Sequence, residues 1–180
     1  MSSKILVLSD SHGNVPALVA VLRWAADELT GSDMAVFLGD GLRELSFAQQ
    51  QTALSCEWKK VRGNNDLAPT APETDVFDFR GHRFYLCHGH RYALYNGFDK
   101  LAASALKTGA DAALFGHIHV PWLENANGLL LVCPGCIGRA RSNAGETFAV
   151  IDCIPEKPLA IHFWGIDRGC NISEIAINKR

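Results

Sequence analysis

Two aspartates, four histidines and an asparagine stand in an ordered series of short polar turns. Asp10 and His12 lie in Ser9-Asp10-Ser11-His12-Gly13, and Asp40 in Leu38-Gly39-Asp40-Gly41. Asn64 lies in Arg62-Gly63-Asn64-Asn65-Asp66, and His88 in Cys87-His88-Gly89-His90. His117 and His119 close the series in Gly116-His117-Ile118-His119. Carboxylate, imidazole and amide oxygen are donors for hard and borderline cations. Seven such side chains exceed the four positions of a tetrahedral zinc. They suit two divalent ions about 3.5–4 Å apart that share a carboxylate. Asp40 stands alone on its strand end and is the natural bridge. Residues i and i+2 of extended backbone project to one side, so Asp10 with His12, and His117 with His119, are expected to act as pincers. Taken singly, each motif is an ordinary turn or cap. Their succession at strand ends is what points to a site.

The intervening sequence supplies the elements that would hold these turns. Lys4 to Ser9 and Met34 to Gly39 are apolar runs of the buried parallel-strand type. Between them, Asn14 caps a helix with Pro16 in its first turn, and Leu18, Val21, Leu22, Ala25 and Leu29 follow at helical spacing up to Gly31. Leu42 to Leu54 reads as a second helix and Trp58 to Arg62 as a third strand. Leu67 to Thr74, with its prolines, reads as a loop. The second half is mostly β. Val76 to Phe79 and Arg83 to Cys87 flank Gly81-His82, a hairpin signal. A helix is expected from Asn96 to Thr108, closed by Gly109, and a strand from Ala112 to Phe115. Trp122 to Ala126 and Leu129 to Cys133 flank Asn127-Gly128, a type I′ hairpin signal. Thr147 to Cys153 and Leu159 to Trp164 read as two further strands. Two sheets packed face to face with helices outside satisfy this order. In open α/β sheets the carboxyl ends of the strands form the ligand crevice, so the five turns are expected to converge there.

Composition removes whole classes of function. The 180 residues, 48% hydrophobic and 20% charged, make one ordinary globular domain. The net charge of -2 provides no basic field for general nucleic-acid binding. No apolar run reaches the ~18 residues of a membrane helix. The apolar stretch after Met1 is too short for a signal peptide, so a cytoplasmic location is the expectation. The six cysteines are then read as thiols rather than a disulfide framework. His82 is expected in solvent at its hairpin turn, His162 as a structural residue of a strand, and Arg139 and Arg141 as surface charges first, with reach to a substrate as the alternative. Asp66 is expected to hold a local turn or a ligand. Tyr92, Tyr95 and Phe98 are read as exposed aromatics that cover a site or a homo-oligomer interface.

The order DxH, GD, GN, HG, GHxH, running from Asp10 to His119, resembles that of the calcineurin-like metallophosphoesterases. Cys133-Pro134-Gly135-Cys136 resembles the Asn-Pro-Gly-Ser segment of the small bacterial and archaeal phosphodiesterase branch. Chain size and the closing hairpins extend the likeness over nearly the whole sequence. The resemblance implies a single domain over 1–180, a four-layer α/β/β/α sandwich of two mixed sheets. It also implies a site for two divalent metal ions, manganese first, with iron, zinc or nickel as alternatives. Carried over residue by residue, Asp10, His12 and His119 hold the first ion, Asn64, His88 and His117 the second, and Asp40 bridges. His90 is a near neighbour. Asp40, Asn64, Asn65 and His90 are the candidate catalytic residues. The wider family places a histidine where Asn65 stands, and an amide donates a hydrogen bond but carries no titrating proton. Cys133 and Cys136 depart from the usual Asn and Ser.

The expected activity is hydrolysis of a small phosphodiester, and secondarily a monoester, by hydroxide generated between the two ions. Two other classes compete. The same fold resembles the retromer-type scaffold subunit, a binding module whose metal site has decayed; the filled ligand set favours the enzyme. A thiol redox protein built on Cys133 and Cys136 leaves the histidines unexplained.

Overall fold

The structure is a computed structural model that describes residues 3–67 and 71–177. Part of the proline-containing segment expected as a loop, residues 68–70, lies outside the described residues, as do the two termini. In chain order the first elements are β1 (Ser3–Leu8), α1 (Val15–Glu28), β2 (Met34–Phe37), α2 (Leu42–Gln49), β3 (Glu57–Lys60), β4 (Thr74–Phe79) and β5 (His82–Cys87). A 3-10 turn at Leu94–Asn96 precedes α3 (Asp99–Leu106). There follow β6 (Ala112–Leu114), β7 (Pro121–Ala126), β8 (Leu129–Pro134), β9 (Glu146–Cys153), β10 (Ala160–Ile166) and β11 (Ile172–Ile175).

Two mixed sheets result. One runs β11-β10-β9-β1-β2-β3 and the other β4-β5-β6-β8-β7. The strands that feed the polar turns are parallel neighbours: β1 with β2, β2 with β3, and β5 with β6. Strand alternation sorts the core into layers. Ile5 and Val7 of β1 face the second sheet and pack in one cluster with Phe84, Leu86, Leu114 and Val132. Leu6 and Leu8 face the other way, onto Leu18, Val21, Leu22 and Ala25 of α1 and Leu45 of α2. On the far side, Leu101 and Ala105 of α3 pack on Ala113, Leu129 and Leu131 of the second sheet. The four layers are those expected from the sequence.

Several boundaries differ from expectation for local reasons. Helix α1 starts where Asn14 Oδ1 accepts the Ala17 N–H at 3.3 Å, as expected. Helix α2 ends at Gln49, short of Leu54, because the polar run Gln49-Gln50-Gln51 offers no apolar face, and Gln51 N–H and Thr52 Oγ1 both turn back onto the Ala48 carbonyl. Helix α3 starts at Asp99 rather than Asn96, since Gly97 at φ 115° separates it from the 3-10 turn. The first hairpin turns at Arg80-Gly81, both at positive φ, with Phe79 paired to His82. His82 is therefore in β5, half-buried, its Nε2 3.3 Å from the Ile154 carbonyl, and not in the turn. The Asn127-Gly128 hairpin forms as expected, with Ala126 paired to Leu129. The edge strand β11 is an addition. Its signal was the preceding turn, where Asp167 Oδ1 accepts the N–H groups of Gly169 and Asn171.

Candidate metal centre

Polar residues that follow β1, β2, β3, β5 and β6 meet at one end of the two sheets. Asp10, His12, Asp40, His117 and His119 all have positive φ, between 42° and 71°. They are five of the eleven non-glycine residues with positive φ among the described residues. Such backbone is uncommon for residues with a Cβ and concentrates where function over-determines it. The pincers thus arise from left-handed turns rather than from the extended backbone expected. The bend lets Asp10 N–H reach the Gly39 carbonyl at 3.0 Å and His12 N–H the Asp40 carbonyl at 3.3 Å, so the first two turns are stitched together.

Glycines permit the close approach. A Cβ on Gly116 would stand 2.0 Å from Ser9 Oγ and 2.7 Å from Asp10 Oδ2. A Cβ on Gly63 would stand 2.1 Å from Asp40 Oδ1. Asp66 braces the turns after β2 and β3. Its carboxylate accepts the N–H groups of Asp40, Gly41, Leu42 and Gly63 at 2.8–3.0 Å.

Ligand atoms converge in two groups. Asp10 Oδ1 lies 3.1 Å from His119 Nε2 and 3.5 Å from His12 Nε2, and the two imidazole nitrogens are 3.0 Å apart. The second group is Asp10, Asp40 and His88, with His88 Nε2 3.4 Å from Asp40 Oδ2 and 3.9 Å from Asp10 Oδ1. Asp10 is common to both groups. Asp40 Oδ2 also faces both, 3.8 Å from His12 Nε2. Sequence reasoning singled out Asp40 as the shared carboxylate; the sequence carries no sign that Asp10 lies equally between the groups.

The imidazoles are oriented from behind. His88 Nδ1 lies 2.7 Å from the Leu38 carbonyl and His119 Nδ1 3.0 Å from the Arg139 carbonyl. A carbonyl only accepts, so each Nδ1 carries its proton and each Nε2 is the atom that faces the carboxylates. Asp10 Oδ1 and His88 Nε2 are buried with no hydrogen bond. An unsatisfied buried polar atom costs about 1–3 kcal/mol. The donor set therefore fits a cation of the N/O-binding kind, with no thiolate required.

Electrostatics agree. Burial pushes the Asp10 carboxyl up, but the imidazoles of His119 and His12, the His88 charge and the Ser9 hydroxyl outweigh it and hold Asp10 far below the carboxylate range. Burial likewise opposes ionisation of Asp40, and His88 and Asn65 outweigh it, so its pKa falls. His88 moves up because Asp40 and Asp10 overcome its burial, and His119 moves up through Asp10 and the Arg139 carbonyl. Burial and the His88 charge move His117 and His90 down.

The remaining predicted residues surround these groups. His117 donates its N–H to Asp10 Oδ2 at 2.9 Å, and its ring stands edge-on to His88 at 5.2 Å. His90 lies with its ring 5.5 Å from His88 and its Nδ1 buried without a partner. Asn64 is exposed beside the cluster. Asn65 donates its backbone N–H to Asp40 Oδ1 at 2.8 Å and Nδ2 to Asp40 Oδ2 at 2.5 Å. Its amide is thus engaged with Asp40 rather than held out toward a leaving group. Asp66 resolves as a backbone brace.

Other expectations change. Cys133 and Cys136 are fully buried, and burial pushes the Cys136 thiol up to about 12 and Cys133 also well up. Neither is a thiolate at neutral pH, which removes the basis for a reactive pair. Of the three aromatics after His90, only Tyr95 is exposed. Tyr92 bonds the Tyr85 hydroxyl and Phe98 packs on Phe115 and Trp122. His162 lies outside the site, between Asp152 and Glu174. A cleft of about 640 Å³ opens beside His12, Asp40 and Asn65, with Arg43 and Lys60 on its walls. Among the described residues no helix is long and apolar enough to cross a membrane.

Residues 3–155 match the calcineurin-like phosphoesterase superfamily domain. The chain is 30% identical over 138 residues to a probable metallophosphoesterase of Mycoplasma pneumoniae, covering 75% of this chain and 79% of that protein. It is 25% identical over 196 residues to the phosphodiesterase YfcE of Escherichia coli, covering 97% and 98%. A solved Streptococcus pneumoniae structure, described as a predicted phosphoesterase, superposes with a TM-score of 0.77 at 25% identity, covering 97% of this chain and 98% of that one. Vps29 of Chaetomium thermophilum superposes at 0.75 with 18% identity, covering 96% and 95%, a likeness of fold.

Proposed function

Since the chain belongs to the calcineurin-like phosphoesterase superfamily, we propose that it is a metal-dependent hydrolase of small phosphodiesters, with monoesters as secondary substrates. The observation that carries this reading is the pair of ligand groups sharing Asp10, with Asp10 Oδ1 and His88 Nε2 buried and unsatisfied. Asp10, His12 and His119 hold one divalent ion. His88 and His117, with Asn64, hold a second, and Asp40 stands between. The mutual distances of Asp10, His12 and His119 support the first set; the approach of His88 to Asp40 supports the second. Manganese is the expected ion, and iron, zinc and nickel suit the same donors. When bound, such ions supply Lewis acidity, acidifying water and offsetting phosphoryl charge.

The protein's own groups do the rest. Asn65 fixes both oxygens of Asp40 and acts as a positioning residue. The Leu38 and Arg139 carbonyls hold His88 and His119 with Nε2 toward the cation. The left-handed turns fix these groups before substrate arrives, so little reorganisation is left for the reaction. The phosphorus–oxygen bond to the leaving group breaks as water oxygen joins phosphorus. No free amide or titrating acid from Asn65 serves the departing oxygen, so aryl diesters, whose leaving groups need no proton, are the preferred laboratory substrates.

A scaffold of the same fold is the second reading, and shared architecture supports it. The intact ligand groups favour the enzyme. Elemental analysis of gently purified protein, paired with a panel of phosphoesters including bis(p-nitrophenyl) phosphate, separates the two. Metal with diesterase turnover supports the hydrolase. Metal-replete protein that cleaves no ester supports the scaffold.

A further inference from the structure

Arg141 is a charge at this site to which the proposed chemistry gives no role. Its backbone N–H donates to the His119 carbonyl at 3.2 Å, while His119 Nδ1 donates to the carbonyl of Arg139 at 3.0 Å. The loop that carries Arg141 is thereby tied to His119 from two sides. From that base the side chain reaches the 3-10 turn on the His117 side of the cluster. Nη1 donates to Tyr95 Oη at 2.5 Å. Tyr95 belongs to the 3-10 turn after His88-Gly89-His90, and its ring centre lies 5.9 Å from that of His117. The pair thus links the His119 loop to the turn beside the His117 ring.

Two further observations point to a ligand. Arg62, Arg83 and Arg91 each meet a carboxylate, whereas Arg141, like Arg43 and Arg80, meets none among the described residues, and of these three Arg141 is the one bonded to a residue of the histidine cluster. A phenol oxygen is neutral and occupies one of the five guanidinium donors, leaving the others and the full charge available. Tyr95 is 66% exposed, and Arg141 is exposed too, so a solute reaches both. The charge is close enough to His119 to oppose its protonation. A guanidinium fork matches the spacing of phosphoryl oxygens in a way that an ammonium does not.

We propose that Arg141 binds a non-bridging phosphoryl oxygen of the substrate, with Tyr95 as the positioning residue that holds the guanidinium over His117 before the anion arrives. This rests on the reading of the centre as a phosphoester site and extends it with a specific anion contact. Substituting Arg141 by Ala keeps its backbone N–H, and with it the bond to His119, so the ligand groups stay in place.

The test is calorimetric titration of inorganic phosphate into metal-loaded wild type, Arg141→Ala, Arg141→Lys, Tyr95→Phe and the Arg141→Ala/Tyr95→Phe double variant, at metal contents matched by elemental analysis. Arg141→Ala is expected to bind phosphate about tenfold more weakly or worse, and Arg141→Lys to recover part of that loss. Tyr95→Phe alone is expected to lose about threefold, and to add nothing in the Arg141→Ala background, because it acts only through the arginine. Where diesterase turnover is present, KM rises more than kcat falls. Phosphate affinity in Arg141→Ala within twofold of wild type overturns the proposal, as does a loss that simply follows loss of metal. An independent effect of Tyr95→Phe in the Arg141→Ala background overturns the positioning role. If no ester is cleaved by any form and Arg141→Ala still weakens phosphate binding, the hydrolase reading fails while the anion contact stands.

Discussion

Asp40 combines a charge requirement with a geometric one. Its oxygens accept two hydrogen bonds from Asn65 while Oδ2 faces the Nε2 atoms of His88 and His12. Asp40→Asn keeps the shape, removes the charge, and sets an amide against the Asn65 amide. We expect it to retain at most one ion per chain in elemental analysis and to lose most diesterase turnover. Near-wild-type turnover with full metal would remove Asp40 from the site. Asn65→Ala removes one supporting bond and leaves the carboxylate. Loss of such an outer support typically weakens metal affinity about 10–100-fold, and competition with a chromogenic chelator measures it. The residues that converge as candidate ligands were legible in the sequence because Asp10-x-His12 and His117-x-His119 sit at ends of apolar strands. The placement of Asn65 on Asp40 was not, because a side-chain hydrogen bond between residues 25 apart in sequence leaves no periodic trace. The left-handed backbone of the pincers was equally hidden, since Asp and His carry no obligation to positive φ as glycine does.

At the scale of elements, the turns after β2 and β3 are one unit held by Asp66. Four N–H groups converge on its carboxylate. In Asp66→Ala these donors lose their acceptor, with partial rescue by water. The expected destabilisation is about 3 kcal/mol, from the usual penalty for unpaired donors, read by urea denaturation of the metal-free protein. A loss below about 0.5 kcal/mol, the range of an ordinary surface change, would mean that the turns hold without it. Element existence was legible where a pattern persists: the β1 run, the α1 stripe behind Asn14, the Asn127-Gly128 hairpin. It failed where tertiary context decides. Helix α2 ended early once its polar glutamines faced solvent, and β11 owes its four residues to pairing with β10 at a sheet edge.

For the whole molecule, the centre couples protonation to stability. His88 and His119 have pKa values raised in the folded, metal-free chain. Their contribution is complete below the unfolded imidazole value of about 6.5 and is lost as pH rises through the folded values. Asp10 and Asp40 are lowered, so their contribution is present above the unfolded value of about 3.9 and is lost as pH falls through the folded ones. The cluster therefore stabilises the metal-free chain most in mildly acidic solution. Metal binding has the opposite trend, because the ion displaces protons from the imidazoles and binds more tightly as pH rises. We expect the gap in Tm between metal-loaded and chelator-treated protein to widen from pH 5.5 to pH 8. A gap that narrows over that range would separate the histidines from the ion.

Burial of the cysteines gives the molecule an internal clock. Cys87 in β5 and Cys133 in β8 belong to one sheet, Cys153 in β9 to the other, and Cys136 follows β8; all four are at most 2% exposed. Cys56 and Cys170 are only half-buried. Burial also pushes the Cys136 and Cys153 thiols up to about 12, so an alkylating reagent meets no thiolate until the chain opens. Mass spectrometry of a timed iodoacetamide reaction should find Cys170 modified first and Cys56 later, since burial and the Asp33 charge push the Cys56 thiol up to about 11, then four adducts that appear together if the sandwich opens in one cooperative step. Should Cys87 and Cys133 be modified well before Cys153, the two sheets part company in sequence, and the order of the adducts would tell which half of the metal centre is dismantled first.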